Sequence, residues 1–347
     1  MDLALYHPEH GYYADPARRR VGGEGDYLTN ISVGDAFGRL MARRIHAAWM
    51  RNGRPAPFSL LEPGPEDGSF ALDFLAETQR IDPAFHAACH YVACEPAPAM
   101  AARLRRRLSS ANHSRHAVVS SPDEYRAPVG AVIANEVLDA LPVRLVRFVD
   151  GRWIERRVTV DAKARLVWAD SPIANPALAR ECRRLGAPFA DGYQTELCLR
   201  HEPFLASLAA CFDRALFTFA DYGFRRDDYY HPDRTEGTLR TYSRHRAGDD
   251  PLDAPGRQDL TAHVDFSRLT DAAAASGLAP AGHWRQETYL TGIAAPLFES
   301  GESSFATPSF ISQFRTLTHP ALFGARFHVL EFTKDTFDPA LANNRPS

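Results

Sequence analysis

Long apolar runs are missing from this sequence of 347 residues, and so is a basic, apolar opening segment. A membrane-spanning helix needs about 18 or more consecutive apolar residues, and no stretch of the chain reaches that length. The first residues, from Met1 to Tyr6, show neither the positive charge nor the apolar run of a secretion signal. These absences predict a cytoplasmic protein with no membrane partner.

Cysteine is scarce, and neither sign of charge is in excess. The five cysteines form no Cys-x-x-Cys pair and no zinc-type cluster with histidine, so we predict a reduced compartment and no metal site. The chain has 40 lysines and arginines against 43 aspartates and glutamates, for a formal net charge of -3. The overall charge therefore gives no reason to expect a nucleic-acid partner.

Apolar strands alternate with helical patterns along most of the chain. Strands are predicted at residues 58–62, 90–94, 117–120, 131–134, 216–220 and 327–332, and helices at 70–78, 99–108 and 266–277. Such alternation is typical of a mostly parallel sheet with helices on both faces. The predicted fold class is therefore α/β.

The chain is predicted to divide into three parts. Residues 1–143 form an N-terminal loop and helix segment with the first half of the core, and residues 214–347 form the second half. Residues 144–213 are an inserted α+β region, in which strands at 144–149 and 153–160 flank an Asp150-Gly151 hairpin turn. The polar, Pro/Gly/Asp-rich residues 224–263 are expected to be a long cover loop. The inserted strands leave an edge for pairing, so a homodimer is one expectation.

Four of the predicted strands end in polar or acidic residues. These residues are Glu62, Glu95, Asn135-Glu136 and Asp221. Ligands of open α/β sheets bind beyond the carboxyl ends of the strands, where these side chains are expected to meet. The set predicts a binding crevice along this edge of the sheet.

The turn after the first strand indicates which ligand the crevice takes. It contains Gly64 and Gly68 but also Glu66 and Asp67, whereas a dinucleotide site has G-x-G-x-x-G. The extra carboxylates would repel a pyrophosphate, but they suit a sulfonium ligand that carries an amino group. Glu95 follows the next strand and is placed to accept hydrogen bonds from ribose hydroxyls. The predicted cofactor is therefore S-adenosyl-L-methionine rather than NAD.

A series of motifs in collinear order resembles one known family. They are His7-Pro8, Gly11-Tyr12-Tyr13, Gly25-Asp26-Tyr27-Leu28-Thr29, Glu62-x-Gly64-Pro65-x-x-Gly68, Asn135-Glu136-x-x-Asp139-Ala140-Leu141-Pro142, Asp221-Tyr222-Gly223, Gly237-Thr238-Leu239-Arg240 with His245, and the segment Asp259 to Phe266. Together they resemble the MidA family of class I methyltransferases, which includes a mitochondrial protein-arginine methyltransferase needed for respiratory complex I assembly.

The resemblance implies a Rossmann-like core that binds S-adenosyl-L-methionine, with an inserted substrate-side region. The cofactor residues that it implies are Gly25, Asp26, Thr29, Glu62, Gly64, Gly68, Glu95 and Asn135. The residues implied to face the substrate are Glu136, Asp139, Asp221 and His263. The chain departs from the family at Glu66, where the turn usually has glycine, and at Asn30-Ile31-Ser32, where the family has Ser-Pro-Glu.

These residues suit methyl transfer to a guanidinium group. Carboxylates pair with guanidinium through two hydrogen bonds, so Glu136 and Asp139 are candidates for this role and His263 is a candidate proton acceptor. Structural roles are also open: Glu136 as a helix-start carboxylate, His263 bonded to a carbonyl, and Asp221 holding the cover loop. We predict an enzyme that methylates a protein arginine or a similar nitrogen.

Two other functions remain open at this point. The first is O- or N-methylation of a small or peptide-derived metabolite. The second is a non-catalytic assembly factor that retains the fold. The predicted partner is accordingly a protein or small-molecule methyl acceptor.

Overall fold

The computed structural model describes residues 1–15, 18, 26, 28–109, 115–186, 189–243, 246–248 and 250–339, so Gly25, Tyr27 and His245 lie outside the described residues. The strands are β1 (Phe58–Pro63), β2 (Cys89–Cys94), β3 (His116–Val119), β4 (Ala127–Asn135), β5 (Arg144–Val149), β6 (Arg152–Val160), β7 (Leu166–Ser171), β8 (Gln194–Leu197), β9 (Phe212–Phe224), β10 (Arg240–Ser243), β11 (Arg246–Gly248), β12 (Asp259–Thr261), β13 (Val264–Asp265), β14 (Ala279–Arg285) and β15 (Phe327–Lys334). The helices are α1 (Asp2–Tyr6), α2 (Ala36–Arg51), α3 (Ser69–Ile81), α4 (Pro83–Ala88), α5 (Pro98–Ser109), α6 (Pro176–Leu185), α7 (His201–Ala210), α8 (Arg226–Tyr229), α9 (Phe266–Ala275), α10 (Gln286–Glu299) and α11 (Pro308–Thr318), with a π-helical turn at Pro320–Gly324.

The central sheet has the strand order β14-β15-β9-β4-β1-β2-β3, and the short β13 pairs with the end of β9. The strands from β3 to β9 run parallel, whereas β15 pairs antiparallel with both of its neighbours. The order of the chain reverses at β1, which lies between β2 and β4. The predicted α/β fold with a mostly parallel sheet is confirmed, and the reversal is where such sheets open a ligand crevice.

Helices cover both faces of this sheet because the central strands are apolar on both sides. Every residue of β1 is buried. On one face Phe37 of α2 and Phe74 of α3 belong to the core cluster, and on the other face Leu205 of α7 packs with Leu269 of α9. A strand that is buried on both faces has a continuous apolar run rather than alternation, as the sequence of β1 shows.

A buried ion pair fixes α2 against β15. Arg44 donates to Glu331 through Nε (2.9 Å) and through Nη2 (2.6 Å), and both side chains are 1% exposed. The hydroxyl of Tyr289 on α10 donates to the same carboxylate at 2.7 Å. Such charge-assisted, two-point hydrogen bonds fix geometry as well as stabilising it. The pair thereby positions a strand that carries part of the candidate site.

The inserted region contains a separate antiparallel sheet with the order β7-β6-β5-β8. Asp150 and Gly151, at the hairpin between β5 and β6, both have positive φ, as the predicted turn requires. The strands β7 and β8 were not predicted. Helix α7 lies within the predicted insertion, at residues 144–213, yet it packs with α9 on the central sheet.

The predicted cover loop at residues 224–263 is more regular than its composition indicates. It contains α8 and the three-stranded sheet β11-β10-β12. Its strands are only three or four residues long, which is too short for a clear alternation in the sequence. Among the described residues, no helix combines the length and the hydropathy that crossing a membrane requires.

Candidate active site

Four predicted site positions lie at one edge of the central sheet. In the parallel register Pro63 pairs with Cys94, and Asn135 pairs with Ala220. Glu62, Glu95, Asn135 and Asp221 therefore lie at or directly after the carboxyl ends of adjoining strands. This is the arrangement that the sequence predicts for a crevice.

The turn after β1 keeps a glycine-type backbone although it carries a glutamate. Gly64, Glu66 and Gly68 have φ values of 66°, 46° and 82°. Glu66 thus occupies the left-handed region that favours glycine, at the position where the family has one. A Cβ on Gly64 would lie 2.9 Å from Val137 Cγ2, so this backbone is closely approached as well as left-handed. The turn retains the shape that lets a backbone approach a ligand at the start of α3.

The two acidic strand ends differ in their surroundings. Glu62 is buried and accepts a hydrogen bond from the hydroxyl of Tyr91, and burial, with the nearby charge of Asp67, raises its pKa well above the usual range. Glu95 is half-buried and accepts from the Ala97 amide at 2.7 Å. Glu95 is therefore the better placed of the two for hydrogen bonds to a polar ligand.

A buried network joins the segment before α2 to the end of β4. Asn30 is 0% exposed, and its Nδ2 donates to Asn135 Oδ1 at 2.8 Å. The backbone amide of Asn30 donates to Glu136 Oε1 at 2.8 Å, and Asn135 Nδ2 donates to the same oxygen at 3.0 Å. Gln286 Nε2 in turn donates to Asn30 Oδ1 at 2.8 Å. Glu136, whose φ is 53°, is thus held in place by two donors.

Asp139 presents one bonded oxygen and one unbonded oxygen. Its Oδ2 accepts from the hydroxyl of Tyr222, whereas its Oδ1 is buried without a hydrogen-bond partner among the described residues. Burial raises the pKa of Asp139 to about 6 and that of Glu136 to about 8. For both groups the effect of burial outweighs the hydrogen bonds that lower the pKa, from Asn30 and Asn135 to Glu136 and from Tyr222 to Asp139.

Both groups open onto a large cavity of about 1030 Å³. Of the predicted site residues, Asp26, Glu136, Asp139 and His263 line it. Thr29, Glu62, Gly64, Gly68, Glu95, Asn135 and Asp221 do not line it. The cavity therefore lies on the predicted substrate side, next to the glycine turn rather than around it.

The prediction that Asp221 faces the substrate differs from the structure. Asp221 is 1% exposed, and its carboxylate accepts from the backbone amides of Leu138 (2.9 Å), Asp139 (3.3 Å) and Tyr222 (2.8 Å). These bonds use the carboxylate to hold the segment after β4. In the structure Asp221 thus bonds the backbone of Asp139 and is not part of the cavity lining.

Two predicted cofactor residues are also held by local contacts. The backbone amide and the hydroxyl of Thr29 are bonded to Ser32 in a tight turn, with distances of 2.8 and 3.1 Å. Asp26 accepts from the Tyr12 hydroxyl at 2.7 Å while still lining the cavity. In the structure the side chain of Thr29 serves the turn rather than the cavity.

His263 lies in an aromatic stack. It lies parallel to Phe224 with centroids 5.1 Å apart, and Arg234 covers the Phe224 ring at 4.2 Å. Burial, together with the charges of Arg234, Arg240 and Arg326, lowers the pKa of His263 to about 4. A histidine with this pKa is a weak proton acceptor at neutral pH.

Sequence reasoning missed several residues that line the cavity. Tyr13 donates to Asp259 at 3.0 Å, and burial raises the pKa of Asp259 to about 7. Other lining residues, Arg225, Arg234, Tyr242, His283, Arg285, Arg326 and His328, come from five separate stretches of the chain. The only signal that pointed to Asp259 was its place in a family motif, and the basic residues gave no local signal.

Comparison with known proteins agrees with this geometry. A family model of S-adenosyl-L-methionine-dependent methyltransferases matches residues 40–284. The chain is similar to the crystal structure of a methyl transferase superfamily member from Burkholderia thailandensis bound to S-adenosyl-homocysteine, with 30% identity and a TM-score of 0.85 over 99% of this chain and 89% of that one.

Curated relatives are similar over nearly the whole chain. The mitochondrial protein arginine methyltransferase NDUFAF7 homolog of Drosophila melanogaster is 28% identical over 95% of this chain and 79% of its own length. The human protein arginine methyltransferase NDUFAF7 is 26% identical over 94% of this chain and 77% of its own length. These relatives are mitochondrial, and this finding contradicts the prediction of a cytoplasmic protein.

The match of the family model covers most of the chain, and the similar crystal structure holds the demethylated product of the predicted cofactor. The predicted enzyme class and cofactor are therefore confirmed. The chain belongs to the MidA-like family of S-adenosyl-L-methionine-dependent methyltransferases.

Proposed function

We propose that this enzyme transfers a methyl group to a guanidinium nitrogen of arginine in a protein. The observation that carries the proposal is the unbonded Oδ1 of Asp139, which is buried beside the cavity that Glu136 also lines. A buried acceptor without a donor is costly, and a guanidinium supplies several N–H donors together with a positive charge. The curated relatives named as protein arginine methyltransferases support the same acceptor.

The glycine turn and the strand ends are the proposed cofactor site. Gly64 and Gly68 would let the backbone approach the ligand, and Glu95 would accept hydrogen bonds from the ribose hydroxyls. Asn135 lies at the end of β4, between this turn and Glu136. When bound, S-adenosyl-L-methionine supplies an electrophilic methyl group. The left-handed backbone at Glu66 supports this site, because the turn retains the glycine-type conformation that lets it approach the cofactor.

Glu136 and Asp139 would orient the acceptor. Two carboxylates that pair with one face of a guanidinium fix its plane and concentrate electron density on the nitrogen that points away. Burial raises the pKa of Glu136 to about 8, whereas the pKa of His263 is lowered to about 4. Once the positive charge of a bound guanidinium displaces its proton, Glu136 is the stronger base of the two. We therefore propose that Glu136, in place of the predicted His263, accepts the proton that the guanidinium loses. His263 would instead pack in the cavity wall.

The size of the cavity favours a peptide over a small metabolite. Its volume of about 1030 Å³ is at the upper end of the range of about 300–1,000 Å³ for small-molecule sites. Its lining includes exposed apolar side chains at Leu28 (53% exposed) and Leu322 (50% exposed). Such a lining suits the side chains that flank an arginine in a polypeptide.

The test is methyl transfer from labelled S-adenosyl-L-methionine to arginine-containing peptides, followed by analysis for methylarginine. Wild-type protein should produce methylarginine, and Glu136→Gln and Asp139→Asn should each lower the rate by about 100-fold or more. Glu77→Gln changes a buried carboxylate that pairs with Arg39 and Arg43 outside the cavity, so it should keep the rate. Label on a small hydroxyl or amine acceptor, with none on arginine, would reject the proposal.

Binding of S-adenosyl-homocysteine tests the cofactor site separately. Titration calorimetry should give a dissociation constant in the micromolar range for wild-type protein. Glu95→Ala should weaken it at least tenfold, because a carboxylate that bonds a ribose hydroxyl is lost. Unchanged binding by Glu95→Ala would place the ribose elsewhere.

A further inference from the structure

Part of the cavity lining, called here the basic wall, is rich in positive charge. Four arginines line the cavity, at positions 225, 234, 285 and 326, together with His231, His283 and His328. Arg234, Arg285 and Arg326 form no ion pair with any carboxylate among the described residues. A site that binds only a cation has no use for such a wall, because like charges near the acceptor weaken its binding.

Part of this wall is ordered by hydrogen bonds. Arg225 Nη2 lies 3.2 Å from His283 Nδ1, and His283 Nε2 lies 2.9 Å from His328 Nδ1. A guanidinium only donates, so His283 must accept at Nδ1 and donate from Nε2 to His328. His328 then accepts at Nδ1 and keeps its own N–H at Nε2. Each residue in this row of hydrogen bonds therefore donates an N–H to the next one, and the row begins at the permanently charged guanidinium of Arg225.

Arg285 lies beside this row of hydrogen-bonded residues. In the sheet register, Arg285 on β14 pairs with His328 on β15. Both Arg225 and Arg285 are exposed, and their charges contribute to lowering the pKa of His328 to about 4, for which burial is the main cause. Two arginines and a directed row of imidazole donors thus meet at one place in the lining, which is the chemistry that recognises a carboxylate.

The sheet also sets the distance between the two ends of the cavity. His328 pairs with Asp221, directly before Tyr222, which bonds Asp139. Arg285 on β14 is therefore about two strand spacings, or about 10 Å, from Tyr222 on β9, and about three spacings, or about 14 Å, from Glu136 at the end of β4. An extended peptide advances about 3.3–3.6 Å per residue, so these distances correspond to about four residues or fewer once side-chain lengths are included.

We propose that Arg225, His283, His328 and Arg285 form a subsite for a carboxylate of the acceptor, an aspartate or glutamate within about four residues of the arginine to be methylated. The subsite and the pair Glu136–Asp139 would together recognise an arginine that has an acidic residue nearby in the peptide. The inference rests on the proposed function, and it names a sequence preference that this function alone does not require.

The test uses capped peptides of eight residues with a single arginine. One peptide has aspartate two residues before the arginine, one has it two residues after, and the matched peptides have asparagine instead. Affinity is measured by calorimetry on protein saturated with S-adenosyl-homocysteine. We expect wild-type protein to bind one aspartate peptide about tenfold more tightly than its asparagine counterpart.

The double variant Arg225→Gln/Arg285→Gln should bind the aspartate and asparagine peptides of a pair equally. Both positions are exposed, so the variant is expected to fold. Arg106→Gln, an exposed arginine on α5 outside the cavity lining, should keep the preference. A preference that persists in the double variant, or no preference in wild-type protein, would overturn the subsite.

A second peptide set separates this inference from the proposed function. Its members have glutamine in place of arginine and the same aspartate or asparagine. If arginine peptides bind no better than these, the proposed acceptor is wrong, whereas an aspartate preference that the double variant removes still establishes the subsite. An uncapped neutral peptide that binds as tightly as the aspartate peptide would identify a terminal carboxylate as the ligand. If no peptide of either set binds, the subsite for a peptide carboxylate is rejected.

Discussion

Asn30 donates a hydrogen bond of 2.8 Å to Asn135 Oδ1, and it thereby ties the segment before α2 to the end of β4, 105 residues away in sequence. Asn30→Ala would leave Asn135 Oδ1 and Gln286 Nε2 without this partner in a buried place. We expect a loss of about 1–3 kcal/mol in the free energy of unfolding. Methyl transfer should also fall, because Glu136 loses the group that orders its surroundings. Denaturant unfolding and steady-state kinetics measure the two effects.

The matched control is Asn175→Ala. Asn175 caps α6 by accepting from the backbone amides of Ala177 and Leu178, and α6 lies in the inserted region. Its loss should lower stability by about 1 kcal/mol while kcat and KM stay at the wild-type values. If both variants lose stability and neither loses activity, Asn30 is a structural residue only.

Glu66→Gly should stabilise the protein. Glu66 has a φ of 46°, and a non-glycine residue in this region costs about 1 kcal/mol that glycine does not. We expect the melting temperature to rise and the affinity for S-adenosyl-homocysteine to stay equal or increase. Glu66→Gln separates the two causes, because it removes the charge and keeps the backbone strain. A rise in melting temperature for Glu66→Gln equal to that for Glu66→Gly would assign the effect to charge.

The stability of the ligand-free protein should fall as the pH rises toward 8. Burial raises the pKa of Glu136 from 4.5 to about 8, so between these values the folded state keeps a proton that the unfolded chain releases. This contribution is favourable at acidic pH and is lost as the pH approaches 8. A rise in pKa from 4.5 to about 8 corresponds to about 5 kcal/mol between these pH values. In Glu136→Gln the dependence should flatten, so that wild-type protein loses several degrees more in melting temperature over this range.

Thermal unfolding monitored by circular dichroism from pH 5 to pH 9 provides the comparison. The exposed Asp123→Asn should behave as wild-type protein does. A slope that is the same in wild-type protein and Glu136→Gln would mean that Glu136 titrates near its ordinary value.

Tyr222→Phe should move the acidic limb of the activity profile to higher pH. The Tyr222 hydroxyl bonds Asp139 and lowers the pKa of this carboxyl group, which burial otherwise raises. Without the hydroxyl, the pKa of Asp139 rises above about 6, and a higher pH is needed to keep the negative charge that pairs with a guanidinium. The shift in the pH profile of kcat/KM should be on the order of one unit. Tyr125→Phe, which removes a hydroxyl bonded to Ser59, is the control and should leave the profile unchanged.

The sequence predicts which residues lie at the edge of the sheet, but not what each side chain bonds. Asp221 follows the same logic as Glu95, yet its carboxylate is taken up by three backbone amides of neighbouring segments. Such capture depends on how the loop after β4 folds, which no local pattern records. Asn30 was noted as a departure from the family, and its buried bonds to β4 depend on a contact between residues distant in sequence.

Six strands of the central sheet are predicted well, because each is an apolar run long enough to recognise. The edge strand β14 was not predicted, because only one of its seven residues is buried. The strands β10 to β12 were not predicted either, because they have three or four residues each and pair only with one another. The basic wall is missed for a different reason. Arg225 directly follows β9, and Arg285, 60 residues later in the sequence, is the last residue of β14. Only the completed sheet therefore brings them together.

The antiparallel pair β14–β15 has a consequence for the order in which the site forms during synthesis. The glycine turn and Glu95 leave the ribosome within the first hundred residues, whereas His283 and His328 lie in the last seventy. A nascent chain therefore carries the residues proposed for the cofactor long before it can complete the basic wall. The proposed discrimination among acceptors is thus acquired after the proposed cofactor residues, when β15 inserts between β9 and β14.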